Sequence, residues 1–174
     1  MKRAFIIGHN EKNKGFYSPH LKISEWDFYN GISCELEEIG DVFLHDPTIN
    51  SYTNRCKDIS ERIGNNYDLT IALHFNSFNT TVSGTECFYW HNNEATKEIA
   101  EYLSSEYSKK VNSNNRGAKG FDSLADRGAG EVYYPAIGAI LFEPFFGDNK
   151  EDCSKWNQRV FLQIMLKIEL GYID

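Results

Sequence analysis

The fold is decided by a short apolar run in the middle of the chain, Leu69-Thr70-Ile71-Ala72-Leu73-His74-Phe75. A buried strand of a parallel sheet has this length and composition, whereas a helix needs about ten residues or more. Outward from this run, short apolar segments alternate with longer amphipathic ones. Such alternation is typical of a sheet covered by helices, so we expect an α/β fold in which this run is a central strand.

The flanking segments supply the remaining strands and helices of the predicted fold. Strands are expected over residues 4–7, 42–44 and 84–90, the last at a sheet edge, and over the apolar run that ends at Glu143. Apolar residues at helical spacing predict helices over residues 25–39, 53–64, 94–111 and 150–170. Residues 112–130 lack a regular period and are rich in Asn, Ser, Gly and Asp, which indicates a long surface loop.

Length and composition limit the class of protein. A chain of 174 residues with 41% hydrophobic and 25% charged residues is typical of one compact globular unit. We therefore expect residues 1–174 to form a single-domain, three-layer α/β sandwich with helices on both faces of a mostly parallel or mixed twisted sheet. We expect this unit to be a monomer.

Charge and hydropathy argue against several partners. The net charge of −7 disfavours a nucleic-acid surface that works mainly by neutralising phosphates. No apolar run approaches the roughly 18 residues that span a bilayer, and the four apolar residues after Met1-Lys2-Arg3 are too few for a signal peptide. The four cysteines form no Cys-x-x-Cys pair, so we expect reduced thiols in a chain made in the cytoplasm. We expect no nucleic-acid partner, no integral membrane segment and no signal peptide.

Three side chains that are able to bind a metal ion are expected at one edge of the sheet. His9 follows the first strand, Glu25 opens the first helix, and His74 ends the central strand. Open α/β sheets form their sites at the carboxyl ends of their strands. Two histidines and one carboxylate would bind Zn²⁺ and leave a fourth position for water, as in catalytic zinc sites.

Each of these residues also has an ordinary structural explanation. A histidine after a strand often takes a hydrogen-bonded turn position, as His9 would, and Glu25 would complement the helix dipole. His74 is less easily explained in this way, because a titratable group at the end of an apolar strand is costly to bury without a partner. The other histidines, His20, His45 and His91, are expected at the surface.

A further ionisable residue, Glu143, lies between the apolar runs Ala139-Ile140-Leu141-Phe142 and Pro144-Phe145-Phe146. Desolvation is expected to raise its pKa and so prepare it to take a proton from water and deliver it to a leaving nitrogen. The alternative is a buried glutamate that is neutralised by an arginine, either Arg116 or Arg127.

Five landmarks occur in order along nearly the whole chain. They are Gly8-His9, Glu25, Leu73-His74-Phe75-Asn76, Arg116-Gly117, and Glu143 with Asn149 six residues later. In these features the sequence resembles the zinc-dependent N-acetylmuramoyl-L-alanine amidases of the amidase 3 type, which are found in bacterial autolysins and phage endolysins. It departs from the usual family pattern at Ile6-Ile7, where that pattern has Asp-Pro, at Leu44-His45, where it has Thr-Arg, and at Pro144-Phe145.

The resemblance implies a reaction and a set of roles. By this likeness His9, Glu25 and His74 would bind Zn²⁺, Glu143 would be the catalytic acid and base, and Asn76 and Arg116 would help to hold the substrate. The substrate would be peptidoglycan, cleaved at the amide bond between N-acetylmuramic acid and L-alanine of the stem peptide. The enzyme would act on the cell wall, and a phage lysin of this type would reach it through a holin-made lesion.

Two other functions stay open on the sequence alone. A peptidoglycan-binding module that has lost catalysis would keep the fold, although it has no need for a buried Glu143 beside metal ligands. A zinc peptidase that cuts within the stem peptide would use the same metal chemistry.

Overall fold

A computed structural model describes residues 1–168 of the chain. Its strands are β1 (Arg3–Ile7), β2 (Tyr17–Ser18), β3 (Ile23–Ser24), β4 (Asp41–Leu44), β5 (Leu69–Leu73), β6 (Thr85–Trp90), β7 (Asn115–Phe121) and β8 (Ala139–Glu143). Its helices are α1 (Glu25–Asn30), α2 (Ser33–Glu37), α3 (Tyr52–Ile63), α4 (Glu94–Val111), α5 (Ala129–Tyr133), α6 (Lys150–Lys155) and α7 (Gln158–Lys167).

Six of the strands form one sheet in the order β4-β1-β5-β8-β6-β7, and β2 pairs with β3 in a small separate sheet. The first four strands of the large sheet are parallel. Strand β6 runs antiparallel to β8 and parallel to β7. Strand β5 lies inside the sheet and all five of its residues are buried. The predicted α/β class, the central position of this strand and the mostly parallel sheet are therefore confirmed.

The hydrophobic core lies on both faces of the sheet, because side chains alternate along each strand. In β1, Phe5 and Ile7 pack into a cluster that includes buried residues of α4 and α7. Ala4 and Ile6 of the same strand belong to a second cluster, with buried residues of α3 and α5. Helices on both faces give the predicted three layers.

Two predicted helices are each divided in the structure. The first helix ends at Gly31, whose backbone N–H donates to Asp27 and Tyr29 carbonyls, and a glycine at this point has low helix propensity. The C-terminal helix is interrupted at Trp156, which has an extended ψ of 129°, and Asn157 caps the start of α7. Residues 169–170, the last two of the predicted helix, lie outside the described part of the chain.

The prediction of a loop over residues 112–130 is wrong for residues 115–121, and the edge position of residues 84–90 is also wrong. Asn112 ends α4 in the left-handed conformation, and the following residues form β7, which becomes the sheet edge beside β6. Gly117 and Gly120 interrupt the alternation by which strands are recognised, because they have no side chain. Pairing with β6 supplies the order that this segment lacks by itself.

Within residues 1–168, none of the helices combines the length and the apolar character that a bilayer crossing requires. Cys34, Cys56, Cys87 and Cys153 are all free thiols.

Candidate active site

The parallel strands place a row of functional residues along one edge of the sheet. Ile7 of β1 is paired with Leu44 of β4 and Leu73 of β5, and Leu73 is paired with Phe142 of β8. The residue after each of these four positions therefore lies at the same level of the sheet. These next residues are His45, Gly8, His74 and Glu143.

The three predicted metal ligands converge at this edge. One ligand atom from each of His9, Glu25 and His74 lies within 4.8 Å of the other two. Glu25 is only 2% exposed and lies between the two rings. Its Oε2 is 3.0 Å from His9 Nε2, and its Oε1 is 2.7 Å from His74 Nδ1.

Local backbone features create the space for these three side chains. A Cβ added at Gly8 would come within 2.6 Å of His74 ring atoms, so only glycine fits beside the ring. His9 has a φ of 65°, a left-handed conformation that directs the chain out of β1. Ser24 accepts a hydrogen bond from the Asp27 backbone N–H and thereby starts α1 at Glu25.

The donor set fits a zinc ion. Among residues 1–168, buried His9 Nε2 finds no well-aligned hydrogen-bond partner, although an imidazole nitrogen seldom lacks one when buried. Gly15, with a φ of +74°, leaves open the space beside it, since a Cβ there would be 2.6 Å from His9 Nε2 and 2.8 Å from Glu25 Oε2. Two imidazoles and a carboxylate are the ligands of many catalytic zinc sites.

The imidazoles determine the protonation state of Glu25. Burial by itself would raise the pKa of this carboxyl group, but the adjacent His74 and His9 outweigh burial and lower it to about 2. Burial would lower the pKa of His74, yet the neighbouring carboxylates of Glu131 and Glu25 raise it well above its usual value. In the metal-free protein, His74 is thus a cation between two anions.

Glu131 and His45 are buried parts of the site that the sequence analysis missed. Glu131 Oε2 lies 2.7 Å from His74 Nε2, and its Oε1 lies 3.0 Å from His45 Nε2. The predicted surface position of His45 is wrong, because this residue is 3% exposed. His45 follows β4 as His74 follows β5, and this shared pattern could have revealed it. No comparable signal marked Glu131, which lies on a short helix beyond the predicted loop.

Glu143 lies at the end of β8, the strand beside β5, and faces a second carboxylate. It is the cross-strand partner of Glu86 on β6. The Asn76 side-chain amide donates to Glu143 Oε2 at 2.6 Å and also to Glu86 Oε1. Burial raises the pKa of Glu143 to about 8, and the charges of Glu86 and Glu25 act in the same direction against the opposing charge of His74. This upward direction agrees with the raised pKa that the apolar residues around Glu143 in the sequence predict.

Arg116 pairs with Glu86 and not with Glu143. Its Nε donates to Glu86 Oε2 at 2.7 Å, its guanidinium lies 5.1 Å from the centre of the Phe146 ring, and Lys119 also contacts Glu86. Burial would raise the pKa of Glu86, but these two cations lower it below its ordinary value. Glu86 therefore stays ionised. These contacts do not involve a substrate, so the substrate-binding roles of Asn76 and Arg116 remain predictions.

A cleft of about 710 Å³ opens over this edge of the sheet. The candidate site residues that line it are His9, Glu25, His74, Asn76, Glu131 and Glu143, whereas Arg116 does not line it. The stacked rings of Phe88 and Phe121, 4.7 Å apart, form part of an apolar wall. His20 and His91 are exposed, as predicted.

Comparisons with solved structures show the same fold in two amidases and in the catalytic domain of an endolysin. The CwlD amidase from Clostridioides difficile, solved in complex with the GerS lipoprotein, has a TM-score of 0.73 at 21% identity, over 98% of this chain and 95% of that one. The catalytic domain of the CD27L endolysin, which targets Clostridia difficile, has a TM-score of 0.71 at 21% identity, over 96% and 95%. The catalytic domain of CwlV from Bacillus (Paenibacillus) polymyxa var. colistinus has a TM-score of 0.69 at 18% identity, over 95% and 92%.

At these identities the structural likeness shows the fold, and the family is shown by sequence. A comparison with curated protein sequences gives no match. The family model described as N-acetylmuramoyl-L-alanine amidase, Amidase_3, matches residues 5–171, which is almost the whole chain. The chain therefore belongs to the N-acetylmuramoyl-L-alanine amidases, the peptidoglycan hydrolases that cleave the amide bond between N-acetylmuramic acid and L-alanine.

Proposed function

We propose that this chain performs the amidase reaction with a zinc ion bound by His9, Glu25 and His74, and with Glu143 as the catalytic acid and base. The observation that supports this proposal is the convergence of three potential ligands within 4.8 Å at the edge of the sheet where the half-buried Glu143 also lies. Residues that are 65 positions apart, such as His9 and His74, meet only because β1 and β5 are paired.

The three ligands differ in what they contribute. The carboxylate of Glu25 is ionised, since the imidazoles hold its pKa near 2, and it offsets the charge of a bound cation. His9 and His74 offer neutral nitrogen ligands once the cation replaces the proton on His74. When bound, zinc supplies a Lewis acid that lowers the pKa of water to about 7 and polarises a carbonyl group.

Glu143 transfers the proton between water and the leaving amine. The substrate water loses its proton to the Glu143 carboxylate and attacks the carbonyl carbon of the lactyl amide, and protonated Glu143 then donates to the departing nitrogen of L-alanine. The pKa of Glu143, about 8, lies close to neutral pH, so this group is able both to accept a proton and to donate one. The nearby charge of a bound cation would lower this pKa and favour the base form.

Asn76 and Arg116 are proposed to act on the substrate side of Glu143. Asn76 orients the Glu143 carboxylate through its 2.6 Å hydrogen bond and lines the cleft, so it is close to any bound muropeptide. Arg116 keeps Glu86 ionised, and its exposed edge is available to a carboxylate of the stem peptide.

The identity of the cleaved bond is tested by mass spectrometry of purified peptidoglycan after digestion. The amidase produces stem peptides with a new N-terminal L-alanine. Cuts inside the stem would instead indicate a peptidase, and the absence of any product would indicate a binding module.

The metal is tested by elemental analysis of protein purified without chelator. We expect about one equivalent of zinc per chain. A His74→Ala variant is expected to lose both the zinc and the activity, whereas Glu143→Ala should lose only the activity. A fully active enzyme without any metal would contradict the zinc proposal.

We also propose that the chain is made in the cytoplasm and acts on the cell wall as a monomer, without a nucleic-acid partner. The substrate is a wall polymer, and a net charge of −7 disfavours nucleic acid. Light scattering checks the oligomeric state. Fractionation of the producing cells before and after holin expression checks the route to the wall.

A further inference from the structure

A buried pair of side chains supports the candidate metal centre from behind His74. Glu131 on α5 is 2% exposed, and His45, at the end of β4, is 3% exposed. Glu131 hydrogen-bonds to His74, and His45 hydrogen-bonds to Glu131. Burying a carboxylate costs free energy, so the placement of Glu131 between two imidazoles requires an explanation.

Both oxygens of Glu131 are used by imidazole nitrogens. Oε2 lies 2.7 Å from His74 Nε2, and Oε1 lies 3.0 Å from His45 Nε2. Glu131 thus links two residues that follow different strands, β5 and β4. Each oxygen of this carboxylate faces an imidazole nitrogen at hydrogen-bond distance, so Glu131 is placed to accept an N–H from both rings.

The two nitrogens of His74 face different partners. Nδ1 is directed to Glu25 within the candidate ligand cluster, and Nε2 is directed to Glu131. For Nδ1 to bind a cation, the ring proton must be on Nε2, and an anionic acceptor at Nε2 selects this tautomer. The same hydrogen bond fixes the plane of the ring and makes Nδ1 a stronger electron donor.

The packing of α5 keeps Glu131 in place. Gly128 precedes this helix with a φ of +91°, and a Cβ there would lie 2.8 Å from Leu141 Cδ1. At Gly130 a Cβ would be 3.0 Å from Cys56 Sγ, so α5 approaches α3 closely. Glycines on both sides of Ala129 therefore allow the helix to bring Glu131 down onto His74.

We propose that Glu131 is a positioning residue that orients His74 for metal binding, and that His45 holds Glu131 in this role. The inference rests on the proposed zinc site, because it assigns Nδ1 of His74 to the metal. It adds to the metal centre two residues that are not among the candidate ligands His9, Glu25 and His74.

The test is the zinc affinity of the full chain, measured by competition with a chromophoric chelator, together with the thermal stability of the metal-free protein. Loss of a hydrogen-bonded partner behind a metal-bound histidine typically weakens metal binding by about 10- to 100-fold. We expect a loss of this size for Glu131→Gln, which keeps the shape of the side chain but removes its charge. We expect a smaller loss, of about 3- to 10-fold, for His45→Phe.

A conservative rescue separates positioning from a merely structural role. In His45→Gln the side-chain amide is able to donate to Glu131, so zinc affinity should return to within about threefold of the wild-type value. Ser104→Ala is the matched control, since this buried serine donates to the Glu101 carbonyl within α4, outside the candidate site, and should change stability without changing zinc affinity.

Each outcome decides a different question. If the wild-type chain binds no zinc, the proposed function itself fails. If the wild type binds zinc and Glu131→Gln binds it equally well or more tightly, the zinc site stands and the positioning role is wrong. If Glu131→Gln does not fold, the two His45 variants provide the test. Equal zinc affinities of His45→Phe and His45→Gln would then overturn the positioning role.

Discussion

Two carboxyl groups near His74, those of Glu25 and Glu143, have opposite protonation preferences. Glu25 is held ionised, with a pKa of about 2, and Glu143 is held protonated, with a pKa of about 8. Burial raises the pKa of both groups and is the largest single effect on each. The difference arises from the partners, because imidazoles face Glu25 whereas Glu86 and a neutral amide face Glu143. Because burial acts on both groups in the same direction, the neighbouring side chains decide which carboxyl group is ionised as a ligand and which is protonated as an acid.

The two regions meet at the carboxyl end of β5. His74 belongs to the metal side, and Asn76, two residues later, belongs to the acid side. One strand therefore sets the separation between the candidate zinc site and the proton-transfer group. With this separation, the metal side would act on the substrate carbonyl while Glu143 acts on the leaving nitrogen.

The largest effect is expected for Glu143→Gln, which removes the acid and leaves the metal side unchanged. Without proton transfer, turnover of a soluble muropeptide should fall by roughly 10²- to 10⁴-fold, with zinc content equal to that of the wild type. Glu101→Gln, an exposed change on α4, is the control and should have no effect. Wild-type turnover in Glu143→Gln would remove Glu143 from the mechanism.

The same variant should also change how metal-free stability depends on pH. Glu143 in the folded chain has a pKa of about 8, above its ordinary value of 4.5, so folding takes up a proton between these values. The free energy of unfolding contributed by this group is thus lost as the pH rises through that window. Between pH 5 and pH 8 the melting temperature of the wild type should therefore fall relative to that of Glu143→Gln. Each kcal/mol of unfolding free energy that the wild type loses corresponds to about 2 to 4 °C. A constant difference across this range would show that Glu143 has an ordinary pKa.

The metal side is tested by Gly15→Ala, which is expected to abolish measurable zinc binding. The new Cβ would occupy the space beside His9 Nε2 and Glu25 Oε2. Gly117→Ala is a matched control, because its φ of +80° is similar but no atom lies within 4 Å of the new Cβ. Both variants should lose about 1 kcal/mol of stability to backbone strain, and only Gly15→Ala should lose zinc by chelator competition. Equal zinc affinities would mean that the ion does not use this space.

Residues at strand ends were predictable because the parallel strands place them together. The positions of His9, His74 and Glu143 follow from short apolar runs that end in a polar group, and pairing of the runs then brings these groups to one edge. Glu25 was marked by the predicted start of the first helix at residue 25, and in the structure Ser24 caps α1 at this point. Local patterns were sufficient wherever the functional residue belonged to a strand end or a cap.

Residues whose place depends on tertiary packing were not predictable in this way. Glu131 is buried because the adjacent glycines let α5 pack tightly, and a five-residue helix leaves almost no periodic signal. His45 was expected at the surface, but it is buried against Glu131 even though it follows an edge strand whose own residues are partly or fully exposed. Strand β7 was missed since its order comes from pairing with β6.

A smaller effect is expected for Glu86→Gln, which removes the anion that faces Glu143. The charge of Glu86 raises the pKa of Glu143, and its removal also leaves Arg116 and Lys119 without their shared partner. The limb of the pH profile of kcat/KM that reports Glu143 should therefore move to lower pH, by up to about one unit. Zinc affinity should stay unchanged, since Glu86 contacts none of the candidate ligands. A limb that does not move would show that the two carboxyl groups are electrostatically independent.

The smallest effect is expected at the caps of two helices, of which only one presents a ligand. Ser24 accepts from the Asp27 backbone N–H at the start of α1, and Ser51 accepts from the Asn54 backbone N–H at the start of α3. Replacing either serine with alanine should cost about 1 kcal/mol of stability, seen as a small decrease in melting temperature.

Only Ser24→Ala should also weaken zinc binding, by a few fold, because Glu25 is the first residue of the helix that this cap fixes. Ser51→Ala destabilises a helix that contributes none of the three candidate ligands, so it separates general loosening of the fold from loss of ligand placement. Equal zinc affinities in the two variants would mean that the ion pairs of Glu25 with His9 and His74 position the carboxylate by themselves, with no help from the helix start.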